Sequence, residues 1–273
     1  MKTSLVTGCS SGIGHATALA FLDREWTVYA TARDVDDLRD LEDAGCETAA
    51  LDVTDGHRVD AVVDRVLEET GRVDCLVNNA GYGQLGAVED VPVDVVHDQF
   101  DVNVYGPHRL TRAVLPHMRE RERGTIVNVS SVAGRVSVPL MGTYAASKHA
   151  LEAMSDALRG EVDAYGVDVV LVEPGPVRTN FGDRATEAMD RLDRSGAYED
   201  LYRVQADRQI LGGGGTFAVE PEAVAAVVVD AASVANPDPR YSVGDVARLE
   251  LFGRYLPDRW RDAAIDLARW VLT

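Results

Sequence analysis

Short apolar runs rich in valine, isoleucine and leucine alternate with amphipathic stretches along most of this 273-residue chain. That rhythm constrains the fold strongly, because parallel strands buried on both faces read as continuous apolar runs and need crossover helices between them. Strands are expected at Thr3 to Thr7, Thr27 to Thr31, Glu47 to Leu51, Cys75 to Asn78, Thr125 to Val129, Asp168 to Glu173 and Arg240 to Val243. Helices are expected at Ile13 to Leu22, Asp34 to Ala44, Asp55 to Thr70, Val93 to Met118, Thr143 to Tyr165 and Pro221 to Ala232. Several of these open on an Asp, Ser or Thr cap. The pattern predicts an α/β chain with a doubly wound parallel sheet of about seven strands in one domain over residues 1–273. A hydrophobic content of 46% is enough to bury a core on both faces of such a sheet.

Two stretches break the rhythm. Residues 176–217 are expected to form a substrate loop and lid; their polar part, from Gly182, ends in the hinge-like run Gly212 to Gly215. A C-terminal extension over residues 245–273 mixes Trp260, Ile265, Leu267 and Trp270 with charged residues and is expected to pack on the core or on another subunit.

The formal charge of −18 argues against nucleic acid and anionic membranes as partners, since long-range repulsion opposes both encounters. No apolar run approaches the roughly 20 residues a bilayer span requires, so a cytoplasmic protein is expected. The acidity is spread along the chain, and Lys2 and Lys148 are the only lysines. That composition points to a halophile, where molar salt shortens the Debye length to about 3 Å and screens acidic self-repulsion. Cys9, Cys46 and Cys75 have neither disulfide nor zinc-finger spacing, and the six histidines form no metal-binding array. Buried thiols and no metal site are expected.

Directly after the first strand candidate comes Thr7-Gly8-Cys9-Ser10-Ser11-Gly12-Ile13-Gly14, leading into a helix. Glycines are needed there for a turn with positive φ and for close approach of backbone to a pyrophosphate, while free N–H groups at the helix start attract the anion. A Rossmann-type dinucleotide site is the expected result, although the spacing Gly-x-x-x-Gly-x-Gly differs from the more familiar Gly-x-Gly-x-x-Gly. The second strand should end beside the adenosine ribose, and here it runs Thr31-Ala32-Arg33. An acidic residue at that place would repel a 2′-phosphate, whereas Arg33 can pair with one, so NADP(H) is favoured over NAD(H). Ser10 and Ser11 offer hydroxyls to the same phosphate.

Taken together and in order, the motifs resemble those of the short-chain dehydrogenase/reductase family, in its common branch of about 250 residues, over nearly the whole chain. Besides the glycine turn, the resemblance rests on Asp52-Val53, Asn78-Asn79-Ala80-Gly81, Asn103, Ser131, Tyr144, Lys148 and Pro174-Gly175-Pro176-Val177-Arg178-Thr179. It implies that Asp52 and Val53 contact adenine and that Asn79, Ala80 and Gly81 border the cofactor. It also implies that Pro174, Gly175, Val177 and Thr179 hold the nicotinamide side. Asn103, Ser131, Tyr144 and Lys148 form the implied catalytic set, with Tyr144 and Lys148 also touching cofactor. The stretch Val28 to Asp34 and the long segment before the last helix are similar to the hydroxysteroid- and retinol-dehydrogenase-like subgroup.

The chemistry of these side chains agrees with the resemblance. Reducing a carbonyl requires a proton at oxygen, and a phenol with a pKa near 10 is a suitable donor but a weak base at neutral pH. Lys148 lies four residues after Tyr144, on the same helical face, and is expected to lower the phenol's pKa by stabilising phenolate. Ser131, thirteen residues before Tyr144, is expected to donate to the substrate oxygen, while its neighbour Ser130 points the opposite way. By resemblance alone, Asn103 organises a water leading to Lys148, and the protein assembles as a homodimer or homotetramer.

Val136, Val138, Leu140, Met141, Phe181 and Ile210 suggest a small hydrophobic ketone, aldehyde or alcohol as substrate. Two other functions fit the same fold. One is a non-catalytic dinucleotide sensor, disfavoured by the intact proton donor; the other is a nucleotide-sugar epimerase or dehydratase, for whose sugar domain the chain leaves little room.

Overall fold

A computed structural model describes residues 1–207 and 218–245 together with Ala247, Pro257, Arg259, Trp260 and Ala263. Seven strands, β1 (Thr3–Thr7), β2 (Thr27–Ala32), β3 (Glu47–Ala50), β4 (Cys75–Asn78), β5 (Gly124–Val129), β6 (Val167–Pro174) and β7 (Arg240–Val243), form one sheet in the order β3-β2-β1-β4-β5-β6-β7. Every neighbouring pair is parallel. The order reverses between β1 and β4, so the crevice for a ligand opens beyond the C-terminal ends of these two strands.

Consecutive strand residues divide between the two faces, as the two-residue period requires. Val6, Val77, Val127 and Val170 pack on one side with Phe21 of α1 (Gly12–Leu22), Leu41 of α2 (Arg39–Ala44) and Val228 of α9 (Pro221–Ser233). Leu5, Leu76, Ile126 and Val169 pack on the other with Val59 of α3 (Gly56–Thr70), Leu110 of α5 (Gly106–Glu120) and Val162 of α6 (Gly142–Val162). Both layers are apolar throughout, which is why the strands read as unbroken hydrophobic runs. The three cysteines are free and buried among them.

The continuous helix expected from Val93 to Met118 is divided. Helix α4 (Val93–Phe100) passes through a π turn at Asp101–Tyr105 before α5 begins. Pro107 explains the break: it has no N–H, so the Asn103 carbonyl cannot receive the usual i+4 donor. Arg109 fastens the loosened turn by pairing with Asp101 at 2.7 Å. The segment expected as a lid is partly helical, with α7 (Phe181–Asp190) and α8 (Glu199–Asp207). Ala185, Met189 and Tyr202 of these helices bury against Leu85, Ala87 and Leu140. Asp90 ties the layer down, accepting from Tyr202 Oη at 2.8 Å and from Ser195 N at 3.0 Å. The Gly212 to Gly215 run, Ile210 and most of the C-terminal extension lie outside the described residues. Among the described residues no helix is long and apolar enough to cross a membrane.

Candidate active site

The glycine turn is built from neutral hydrogen bonds. Gly8 has φ +72°, and a Cβ there would lie 2.9 Å from Ala80 Cα; on Gly14 it would lie 2.2 Å from the Gly8 carbonyl oxygen. No larger residue fits at Gly14 without moving backbone. Thr7 Oγ1 receives the Asn79 and Ala80 amides at 3.0 and 3.1 Å, and Asn79 Nδ2 donates to the carbonyls of Thr7 and Gly8 at 2.8 and 3.1 Å. Asn79 and Ala80 therefore hold the turn from the β4 side. Helix α1 follows with no acidic residue in its first turn and no side-chain cap from Ser11. Its first amides, beside half-buried Ser10, Ser11, Gly12 and Ile13, form a cradle that suits a pyrophosphate.

At the end of β2, Arg33 is exposed and makes no ion pair among the described residues. The surface acids beside it are engaged elsewhere: Asp36 pairs with Arg39 at 2.8 Å, and Asp34 accepts from the Asp36 amide. Asp52 accepts from the amide and hydroxyl of Thr54 at 2.9 and 2.7 Å. Those bonds, with the Arg33 and Arg58 charges, outweigh burial and hold its carboxyl below the usual range. Val53 differs from the others in this group. Its side chain lies in the core beside Gly106 and its carbonyl receives Arg109 Nη1, which leaves only its amide for a ligand.

Across the crevice, Tyr144 and Lys148 stand on the first turns of α6, both buried. Ser131, just after β5, is the side chain that pulls the phenol's pKa downward. Its Oγ also accepts from Ala133 N at 3.2 Å, starting a short 3-10 turn. Lys148 Nζ lies 6.0 Å from the Tyr144 ring centroid and donates to the Val129 carbonyl at 2.9 Å. Burial pushes the phenol up to about 12, with only Ser131 pulling it back, and pushes the Lys148 ammonium down to about 8. The lowering of Tyr144 expected from Lys148 is not found: the phenol is shifted upward by burial, and the one opposing influence is Ser131. Tyr144 is held in its protonated form. Ser130 points away as expected, its Oγ beside Gly134 and Glu152.

Asn103 sits in the π turn with its side-chain amide committed. Oδ1 accepts from Tyr82 N at 3.1 Å, and Nδ2 donates to the Tyr82 carbonyl and to Ser147 Oγ at 2.9 and 3.1 Å. Its main-chain carbonyl lacks the usual i+4 donor, because that position is Pro107. Gly81 passes so close that a Cβ would lie 3.0 Å from Asn103 Oδ1. On the far side, Pro174 ends β6, the Gly175 amide donates to Val243, and Val177 bridges to Val219. Thr179 reaches the glycine turn, its Cγ2 2.9 Å from where a Cβ on Gly12 would stand. The glycine turn, Asn79 to Gly81, Tyr144, Lys148 and the loop from Pro174 to Thr179 thus face one crevice. Arg33 and Asp52 mark its outer end.

Three working parts escaped the sequence reading. Thr7 as the hub of the turn was hidden as a strand residue, and Ser147 as the partner of Asn103 looked like any helical serine. The third is a buried charge cluster behind Lys148: Glu152, Glu173, Arg135 and Arg240. A glutamate on the buried face of a helix was its only signal.

A match to the short chain dehydrogenase family spans residues 2–190. The chain is 37% identical to a probable short-chain type dehydrogenase/reductase of Helicobacter pylori, covering 97% of this chain and 96% of that one. At 33% identity, it matches an NADPH-dependent 3-dehydrocapnine reductase of Ornithobacterium rhinotracheale over 96% of this chain and 95% of the other. A 3-ketodihydrosphingosine reductase of Bacteroides thetaiotaomicron is likewise 33% identical, over 96% of each chain.

Among solved structures, a short-chain dehydrogenase from Streptomyces avermitilis aligns with TM-score 0.82 and 40% identity over 98% of this chain and 95% of that one. A metagenomic short-chain oxidoreductase in complex with NADP aligns with TM-score 0.70 and 30% identity over 89% and 96%. One from Burkholderia phymatum in complex with NAD aligns with TM-score 0.75 and 27% identity over 88% of each chain. By these likenesses and by its own site, the chain belongs to the short-chain dehydrogenase/reductase family and is an oxidoreductase that uses a nicotinamide dinucleotide.

Proposed function

We propose that this oxidoreductase interconverts a hydrophobic ketone or aldehyde and its alcohol, prefers NADP(H), and uses Tyr144 as the proton donor. The observation that carries the reading is a buried phenol with the Ser131 hydroxyl on one side, the Lys148 ammonium nearby and an apolar wall in front. That wall includes Met141 and Phe181, whose ring lies 5.6 Å from that of Tyr144. Leu85, Leu140, Met189 and Tyr202 continue it toward α7 and α8. Helices α7 and α8 pack over this side through Ala185, Met189 and Tyr202 and shield the reacting carbon from water.

When bound, the dinucleotide supplies or takes up the hydride. Tyr144 gives its proton to the carbonyl oxygen, and Ser131 donates a hydrogen bond to the same oxygen as charge develops on it. Lys148 faces the phenolate left behind and favours it. The Asn103 carbonyl provides a place for a water that returns a proton from solvent. Two relatives whose names state reduction of 3-keto or 3-dehydro compounds support carbonyl reduction as the chemistry. Arg33, unpaired within the described residues, supports NADP(H). The test is a panel of carbonyls and alcohols followed by NADPH and NADH absorbance in molar KCl. Turnover that Tyr144→Phe abolishes supports the reading; no turnover on any substrate, or turnover untouched by the substitution, overturns it.

A further inference from the structure

Behind the catalytic wall lies a buried ionic cluster that the mechanism above does not use. Glu152 stands one helical turn after Lys148 on the same face of α6, and both side chains are nearly inaccessible to water. Its Oε2 is 3.1 Å from Arg240 Nη2 of β7 and 3.7 Å from Arg135 Nη1 in the segment after β5. Those guanidiniums also hold Glu173 near the end of β6, through Arg135 Nη1 at 3.0 Å and Arg240 Nε at 3.2 Å. Ser242 Oγ donates to the second oxygen of Glu173 at 3.3 Å, and Asp156 takes Arg240 at 2.7 Å while also holding Arg159. Ser130 and Gly134 close the remaining side of Glu152.

The cluster joins α6, the segment after β5, and strands β6 and β7. Ser130 precedes Ser131, Glu173 precedes Pro174, and Glu152 follows Lys148 by four residues. A buried ammonium is costly in its charged form unless a carboxylate lies near it, and Lys148 has one backbone carbonyl as its direct partner. Burial and the nearby Glu173 charge raise the Glu152 carboxyl above its usual range, and the two guanidiniums within 4 Å oppose them by favouring the ionised form. We propose that Glu152 is a positioning residue for Lys148: anchored by Arg240 and Arg135, its carboxylate keeps the buried ammonium charged and holds it in register with the strand ends on either side. The inference rests on the catalytic reading of Lys148 given above. Glu152 is the charge that raises the Lys148 pKa against burial, whereas Glu173 acts on Glu152.

Because Lys2 and Lys148 are the only lysines, protein carrying 13C-labelled lysine gives two Cε signals, assigned with Lys2→Arg. Following the Lys148 signal through pH titration reads the ammonium directly, with no turnover required. Glu152→Gln should lower its midpoint by about one pH unit or more. The alkaline limb of kcat/KM for carbonyl reduction should move by the same amount, and Glu152→Asp should restore part of it. Should Glu152→Gln fail to fold, the charge-balanced Glu152→Gln/Arg240→Gln pair should show the same lowered midpoint. Glu173→Gln removes an equal charge from the cluster and should leave the midpoint nearly in place. An unchanged midpoint in the Glu152 variants, or an equal fall in Glu173→Gln, overturns the proposal. Failure of the catalytic reading is separate, because it would show as turnover indifferent to Tyr144→Phe.

Discussion

The two sides of the switch point hold their polar groups by opposite means. On the β1 and β4 side, the turn that faces the dinucleotide is held by Thr7 and Asn79 through neutral hydrogen bonds, and Arg33 stays at the surface. On the β5 to β7 side, Lys148, Glu152 and Glu173 are buried, with Arg135 and Arg240 partly covered beside them. The difference follows from what each side handles. A cradle for an anion must offer free amides and keep its own negative charges away. A site that moves a proton needs charged groups shielded from water, since only there do they act strongly on one another.

Removing the proton donor tests the second side most severely. Tyr144→Phe should lower turnover by roughly 100-fold or more while leaving dinucleotide binding, read by fluorescence quenching, within a few-fold. An equal loss of binding would mean that the phenol is a structural part of the cradle. On the first side, Arg33→Asp should weaken NADP(H) by about 1.5–3 kcal/mol, one to two powers of ten, and spare NAD(H). Equal loss for both cofactors would remove the phosphate role. Gly14→Ala presses a methyl group on the Gly8 carbonyl and should cost about 1–3 kcal/mol of stability, seen as a lower denaturant midpoint together with weaker binding of both cofactors.

The charged side should respond to pH where the neutral side does not. Lys148 loses its proton as pH rises through about 8, while Tyr144, pushed up to about 12, stays protonated. Carbonyl reduction should therefore fall by up to about tenfold per pH unit above 8, with dinucleotide binding through Arg33 and the α1 amides much less affected. A flat rate from pH 7 to 9.5 would remove the charged ammonium from the mechanism. The smallest effect concerns the whole surface: with a formal charge of −18, molar KCl should raise the melting temperature by a few degrees as acidic repulsion is screened. A fall or no change would count against a high-salt origin.

All seven strands could be read from the sequence within a residue or two, and so could the outer limits of most helices, because period and apolar runs are local properties of the chain. Ser131 could be separated from Ser130 by its thirteen-residue spacing to Tyr144, which resembles the family's, while alternation along an extended segment said only that the two hydroxyls face opposite ways. The π turn around Asn103 was less visible, although Pro107 marked it. Helices α7 and α8 were masked by their polar exposed faces and showed themselves only where Ala185, Met189 and Tyr202 found Leu85 and Leu140 to cover.

By itself, then, the sequence determined the strands, the glycine turn and which side chains are candidates for the reaction. The tertiary structure decided their electrical state. Whether Tyr144 is a donor and Lys148 stays charged depends on how far water is excluded and on Glu152, whose anchor Arg240 lies 88 residues away along the chain. Burial and Coulomb energy depend on distance in space, and spacing in sequence carries no record of it.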